Sequence, residues 1–108
     1  MPIPQIAMKD LREKLSQLGS DEIVLDVRGP VEFAAGHVPG SRNIPHDQVV
    51  SHLDELRRCR CIYVHCRSGK RAQMASETLT RAGLENLVCI AGSGMDDWLA
   101  SGFPTERA

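Results

Sequence analysis

The chain has 108 residues, of which 42% are apolar and 25% charged, and a formal net charge of −1. That length suits a single domain over residues 1–108, with a core that needs no covalent staples. The near-neutral charge argues against broad binding to nucleic acid or acidic membranes, and no apolar run approaches membrane-spanning length.

The amino-terminal run Met1-Pro2-Ile3-Pro4-Gln5-Ile6 lacks a basic segment followed by an apolar one, so a cytoplasmic location is expected. Along the chain, strand-like and helix-like segments alternate. Ile6 belongs to a short first strand. Met8 to Leu18 reads as a helix, with Leu11, Leu15 and Leu18 at helical spacing and Gly19 as its stop. Ile23-Val24-Leu25 is a short continuous apolar run, suited to a strand covered on both faces. Val31 to Ala35 is a brief helical turn, and Asn43-Ile44 a short strand. Asp47 to Arg57 is predicted as an amphipathic helix, with Asp47 as N-cap and Val49, Val50, Leu53 and Leu56 on one side.

Cys61 to His65 is the next strand, followed by a basic loop and a helix to about Ala82. That helix carries Ala72, Ala75, Leu79 and Ala82 at helical spacing, small enough to pack close to a sheet, and Gly83 stops it. Leu87 to Ile90 is the last strand and Met95 to Ala100 the last helix. The alternation predicts an α/β fold, a mainly parallel sheet with helices on both faces. In such sheets, sites form outside the carboxyl ends of the strands.

Cys66 stands at such an end. It opens the run Cys66-Arg67-Ser68-Gly69-Lys70-Arg71, in which Arg67, Lys70 and Arg71 are basic. A free cysteine is only about 3% thiolate at pH 7, and making the thiolate dominant takes roughly 2.7 kcal/mol of preferential stabilisation. A helix N-terminus supplies about 0.3–2 kcal/mol. The three cations, where they point inward, and the amides of residues 67 to 71, where they converge on the sulfur, make up the difference. The chemistry expected is a soft nucleophile with an anionic substrate.

The other three cysteines are Cys59, Cys61 and Cys89. Cys61 and Cys89 lie in apolar strand-like runs, where buried thiols are common. A metal site from Cys59, Cys61, His65 and Cys66 matches no usual zinc spacing, and no disulfide framework is expected. Phosphatase-like loops place arginine six positions after the cysteine, where this chain has Ala72. Arg71 arrives one position early, so the shorter loop suits a single sulfur atom better than a tetrahedral phosphate.

In four ordered segments the chain resembles the rhodanese family, specifically its small single-domain sulfurtransferases. The segments are Asp26-Val27-Arg28 with Glu32-Phe33; Gly36-His37-Val38-Pro39-Gly40-Ser41 running into Asn43-Ile44-Pro45; the loop Cys66 to Arg71; and Ser93-Gly94 with Trp98, Gly102 and Pro104. The resemblance implies five mainly parallel strands flanked by helices. It implies that Cys66 accepts a sulfane sulfur as a persulfide and passes it on. Thiosulfate or a similar anionic donor supplies the sulfur, and cyanide, a thiol or a thioredoxin-like protein accepts it. No metal or organic cofactor, no nucleic acid and no membrane is implied. Arg67, Lys70 and Arg71 map onto donor-binding positions, while Ser68 and Gly69 shape the turn.

Asp26, Arg28 and Glu32 read as a buried or rim polar network, His37 as a residue bonded to backbone in its loop, and Trp98 as core. His65 adjoins Cys66 but points to the other face of the strand, as neighbouring strand residues do. Ser93 stands where the family usually has the first glycine of a pair, and a positive φ there would strain it. Two competing readings of the resemblance are a non-enzymatic docking or regulatory module and a cysteine-dependent phosphatase or arsenate reductase.

Overall fold

In the computed structural model, which describes residues 3–107, five parallel strands form one sheet. The strands are β1 (Gln5–Ile6), β2 (Glu22–Asp26), β3 (Arg42–Asn43), β4 (Cys61–His65) and β5 (Leu87–Ile90). Their order across the sheet is β1-β5-β4-β2-β3. Met1, Pro2 and Ala108 lie outside the described residues.

Period-two alternation sorts the central strands onto two cores. On one side, Leu25, Ile62, Val64, Leu87 and Cys89 meet Leu56 and the Ala72, Ala75, Leu79 stripe of α4 (Lys70–Arg81). On the other, Val24, Tyr63 and Ile90 meet Met8 and Leu11 of α1 (Met8–Lys14) and Met95 and Trp98 of α5 (Met95–Ala100). Of the short helices, α3 (Leu53–Arg57) adds Leu56 to the first core, while α2 (Pro30–Ala35) buries no residue. The alanines of α4 are almost fully buried, which is how that helix lies close against β4 and β5.

Three expectations shift. The first helix ends at Lys14 and tightens into a 3-10 turn over Leu15–Gln17, a common way for a helix to finish. The helix expected from Asp47 is instead a 3-10 segment, Val49–His52, running into α3, and Asp47 caps neither. A three-residue turn sets Val50 about a third of a turn from Val49. Val49 is buried and Val50 is 52% exposed. Ile44 leaves the ladder of β3, although its N–H still reaches the carbonyl of Asp26 at 3.1 Å.

Parallel strands with crossover helices bring the carboxyl ends of β2 and β4 side by side, with Asp26 paired in register to His65. The chain after each end therefore emerges on the same rim of the sheet.

Candidate functional site

Cys66 leaves β4 on the α4 side, and the chain turns at once into that helix. Gly69 makes the turn with φ +116, a conformation that side-chain-bearing residues rarely adopt, and it precedes the first residue of α4. The turn aims two peptide N–H groups at Cys66 Sγ, from Gly69 at 3.1 Å and from Ala72 at 3.2 Å. The sulfur thus sits at the N-terminal end of a twelve-residue helix, where orphan amides and the helix dipole favour an anion. Cys66 itself is only 1% exposed.

The start of α5 clamps the loop from the far side. Met95 donates its N–H to the Cys66 carbonyl at 2.8 Å, and Asp96 donates its N–H to the Arg67 carbonyl at 3.2 Å. This contact requires glycine at position 94. A Cβ there would stand 2.4 Å from the Cys66 carbonyl oxygen and 2.5 Å from that of Arg67. Ser93 needs no special conformation, since no described residue other than glycine has a positive φ. Its hydroxyl instead accepts the N–H of Met8 at 2.9 Å, at the start of α1.

The three basic side chains of the loop part company. Arg67 is exposed and pairs with Asp96 at 3.0 Å. Arg71 is half-buried and forks onto both oxygens of Glu32, at 2.7 and 3.0 Å. That guanidinium holds the Glu32 carboxyl down at about 2, helped by the N–H of Gly29, and Glu32 in turn raises the Arg71 pKa. Cys66 adds a smaller pull in the same direction. Lys70 is exposed and, among the described residues, joins no ion pair. Ser68 is exposed at the tip of the turn.

The loop therefore brings residues 66 to 71 together as the sequence suggested, but with different parts facing inward. The amide of Ala72, one residue beyond the run singled out, reaches the sulfur. The guanidinium groups of Arg67 and Arg71 reach carboxylates. Counting amides through the whole first turn of the helix would have found Ala72. Glu32 and Asp96 carry no signal of their own as partners, being 39 and 29 residues away in the chain.

Behind the loop, Asp26 and Arg28 form a buried ion pair. Arg28 donates Nη2 to Asp26 Oδ2 at 2.8 Å and to the Gly36 carbonyl at 2.8 Å. Its backbone N–H and Nε add bonds at 3.0 Å to the same carboxylate. A fork of this kind satisfies both oxygens, without which the buried charges would be costly. His37 bonds the Phe33 carbonyl through Nδ1 at 2.8 Å. Trp98 is fully buried and donates Nε1 to the Pro104 carbonyl at 2.7 Å. Among the described residues no group of three or more His, Cys, Asp or Glu side chains could hold a metal ion, and no helix is long and apolar enough to cross a membrane.

Residues 7–101, which include strands β2 to β5 and the cysteine loop at the rim of the sheet, match the model of the rhodanese-like domain. The chain belongs to that family. It is 35% identical over 98 residues to YrkF of Bacillus subtilis, a protein given a sulfur-carrier name, covering 89% of this chain but only 51% of that one. The chain thus spans about half the length of that relative. The thiosulfate sulfurtransferase GlpE of Pseudomonas putida is 29% identical over 106 residues, covering 98% of this chain and 90% of its own. A crystal structure of a rhodanese-related protein from Thermoplasma volcanium superposes with a TM-score of 0.81 at 32% identity, covering 97% of this chain and 99% of that one. Family and relatives together support sulfur transfer in general.

Proposed function

We propose that this protein transfers a sulfane sulfur from thiosulfate, or a similar small anionic donor, to a thiol or cyanide acceptor through a persulfide on Cys66, and that it does so in the cytoplasm. The observation that carries the reading is the sulfur of Cys66 under the amides of Gly69 and Ala72 at the head of α4. The Cys66 thiolate attacks the outer sulfur of thiosulfate. A new S–S bond forms to Cys66, the donor's own S–S bond breaks, and its electron pair leaves with sulfite. The acceptor then attacks the outer sulfur of the persulfide. With cyanide, thiocyanate departs and the thiolate returns. The two half-reactions need no metal or organic cofactor, and they give ping-pong kinetics.

The same amides stabilise the anion at each stage, as preorganised dipoles do. Lys70, unpaired among the described residues, attracts the donor at the rim together with Arg71, and Arg67 lines the same edge with its charge offset by Asp96. Ser68 and Gly69 give the turn its shape. Position 72 argues for sulfur over phosphoryl chemistry. It offers a peptide N–H and a buried methyl group, and no guanidinium to grip a phosphate. A docking module would have no use for a sulfur so placed.

The test is the intact mass of the protein after treatment with thiosulfate, together with turnover of Cys66→Ser. One added sulfur on the wild type and none on the variant, with no residual thiocyanate production, is the expected result. Turnover retained by Cys66→Ser would end the proposal. A panel of thiols and of thioredoxin-like proteins, read by loss of the added mass, then identifies the acceptor.

A further inference from the structure

β4 ends on two residues that point to opposite sides of the sheet. Cys66 joins the core under α4. His65 shares the side of Tyr63, where Met8, Met95 and Trp98 close the space. His65 is fully buried, and its Nδ1 lies 3.4 Å from the carbonyl oxygen of Cys66. A carbonyl only accepts, so this contact is a hydrogen bond when Nδ1 carries the hydrogen. The neutral ring then presents a bare lone pair at Nε2. That nitrogen has no hydrogen-bond partner, and it stands 3.9 Å from Oδ2 of Asp26. Two acceptors thus face each other in the buried interior, and one added proton relieves the conflict.

Few charges surround the ring. On β2 and just beyond it, Asp26 and Arg28 are paired and sum to zero. The acids of the covering helices are engaged elsewhere: Asp10 with the N–H of Ala7, Asp97 with the N–H of Gly94, and Asp96 with Arg67. Arg12 of α1 lies over the Phe103 ring. Burial pushes the His65 pKa below the ordinary imidazole range, and Asp26 pulls it partway back. The ring is therefore neutral at neutral pH.

We propose that His65 and Asp26 form a buried one-proton site beneath the Cys66 loop, in which His65 is a positioning residue that links the proton to the Cys66 carbonyl. The proton comes from solvent and binds Nε2, and no bond between heavy atoms changes. The resulting imidazolium faces the Asp26 carboxylate while Nδ1–H keeps the Cys66 carbonyl, now as a charge-assisted bond. The group of Asp26, Arg28 and His65 passes from neutral to positive one residue from the sulfur. A positive charge there attracts negative charge at the sulfur, which a neutral ring does not. The inference rests on ring geometry and holds whether or not the protein transfers sulfur.

Two measurements test it, neither needing turnover. The ring 15N shifts of His65 in the intact protein should show hydrogen on Nδ1 at neutral pH and a second proton on Nε2 in acid. The variant His65→Asn keeps a side-chain N–H near the Cys66 carbonyl but cannot take the proton. Its Cys66 should react with iodoacetamide within about twofold of the wild-type rate at mildly alkaline pH, and on the order of tenfold more slowly in acid. Hydrogen on Nε2 at neutral pH, or alkylation profiles that superimpose, would overturn the proposal. The ring measurement needs no variant, so it decides the matter even if His65→Asn does not fold.

Discussion

Strands β2 and β4 end side by side in register, yet they treat charge in opposite ways. Beyond β4, on the α4 side, a sulfur is met by two peptide N–H groups. At the end of β2, on the side of α1 and α5, a carboxylate is met by a full guanidinium charge. Peptide dipoles are fixed by the fold and carry no net charge, so they can face a buried atom at small desolvation cost. Full charges enter the interior only as pairs. The difference teaches where each kind of stabilisation belongs. The buried ion pair holds the rim together, and the amides of the loop are left to meet the sulfur.

The sharpest way to break that contrast is Asp26→Ala. It strands Arg28, which is 5% exposed, without its counter-charge. A loss of about 3–5 kcal/mol in unfolding free energy is expected from denaturant titration. A loss much below that would show the pair contributes little to the rim.

Gly94→Ala attacks the loop from behind. The new Cβ meets backbone atoms that no side-chain rotation can clear. Stability should fall by about 1–3 kcal/mol, and turnover should fall with it, because the Cys66 carbonyl is displaced. A variant with wild-type melting and wild-type turnover would show that α5 can retreat without disturbing the sulfur.

Reversing the rim cations separates attraction from architecture. Lys70→Glu should raise KM for thiosulfate on the order of tenfold and slow alkylation of Cys66 at neutral pH. Its stability should hardly change, since Lys70 joins no ion pair among the described residues. Arg71→Glu should raise KM similarly but also cost stability, since it opposes Glu32. Wild-type kinetics in both variants would mean that these side chains face away from the donor.

The smallest effect concerns acid. Glu32 is held down at about 2 from an ordinary 4.5, so its folded form binds its proton later than its unfolded form. Its contribution is complete above the ordinary range and disappears as pH falls toward about 2. The pair is partly open to solvent, so the contribution is below about 1 kcal/mol. The stability gap between wild type and Glu32→Gln should therefore close across that acid window. A gap unchanged throughout it would place the role of Glu32 in packing.

Much of this arrangement was legible in the chain. Leu87–Ile90 and Met95–Ala100 have the bounds read from apolar spacing, and Cys61–His65 ends one residue before the cysteine that drew attention. Such elements follow from contacts two to four residues apart, which a linear pattern displays. The segment from Asp47 to Arg57 was less legible. A 3-10 segment and a short α-helix share an apolar pattern with one amphipathic helix, and only the packing of Val49 against the sheet distinguishes them.

By itself the sequence determined the strand–turn–helix around Cys66, the glycine that lets the turn close, and the crowd of cations beside it. Only the tertiary structure decided which of those cations are tethered, which amides reach the sulfur, and that His65 is buried beside Asp26. The physical reason is distance along the chain. An arginine's partner, a seat for Gly94 and a facing pair of acceptors are all made when the sheet order folds remote segments onto one rim, and no local propensity records them.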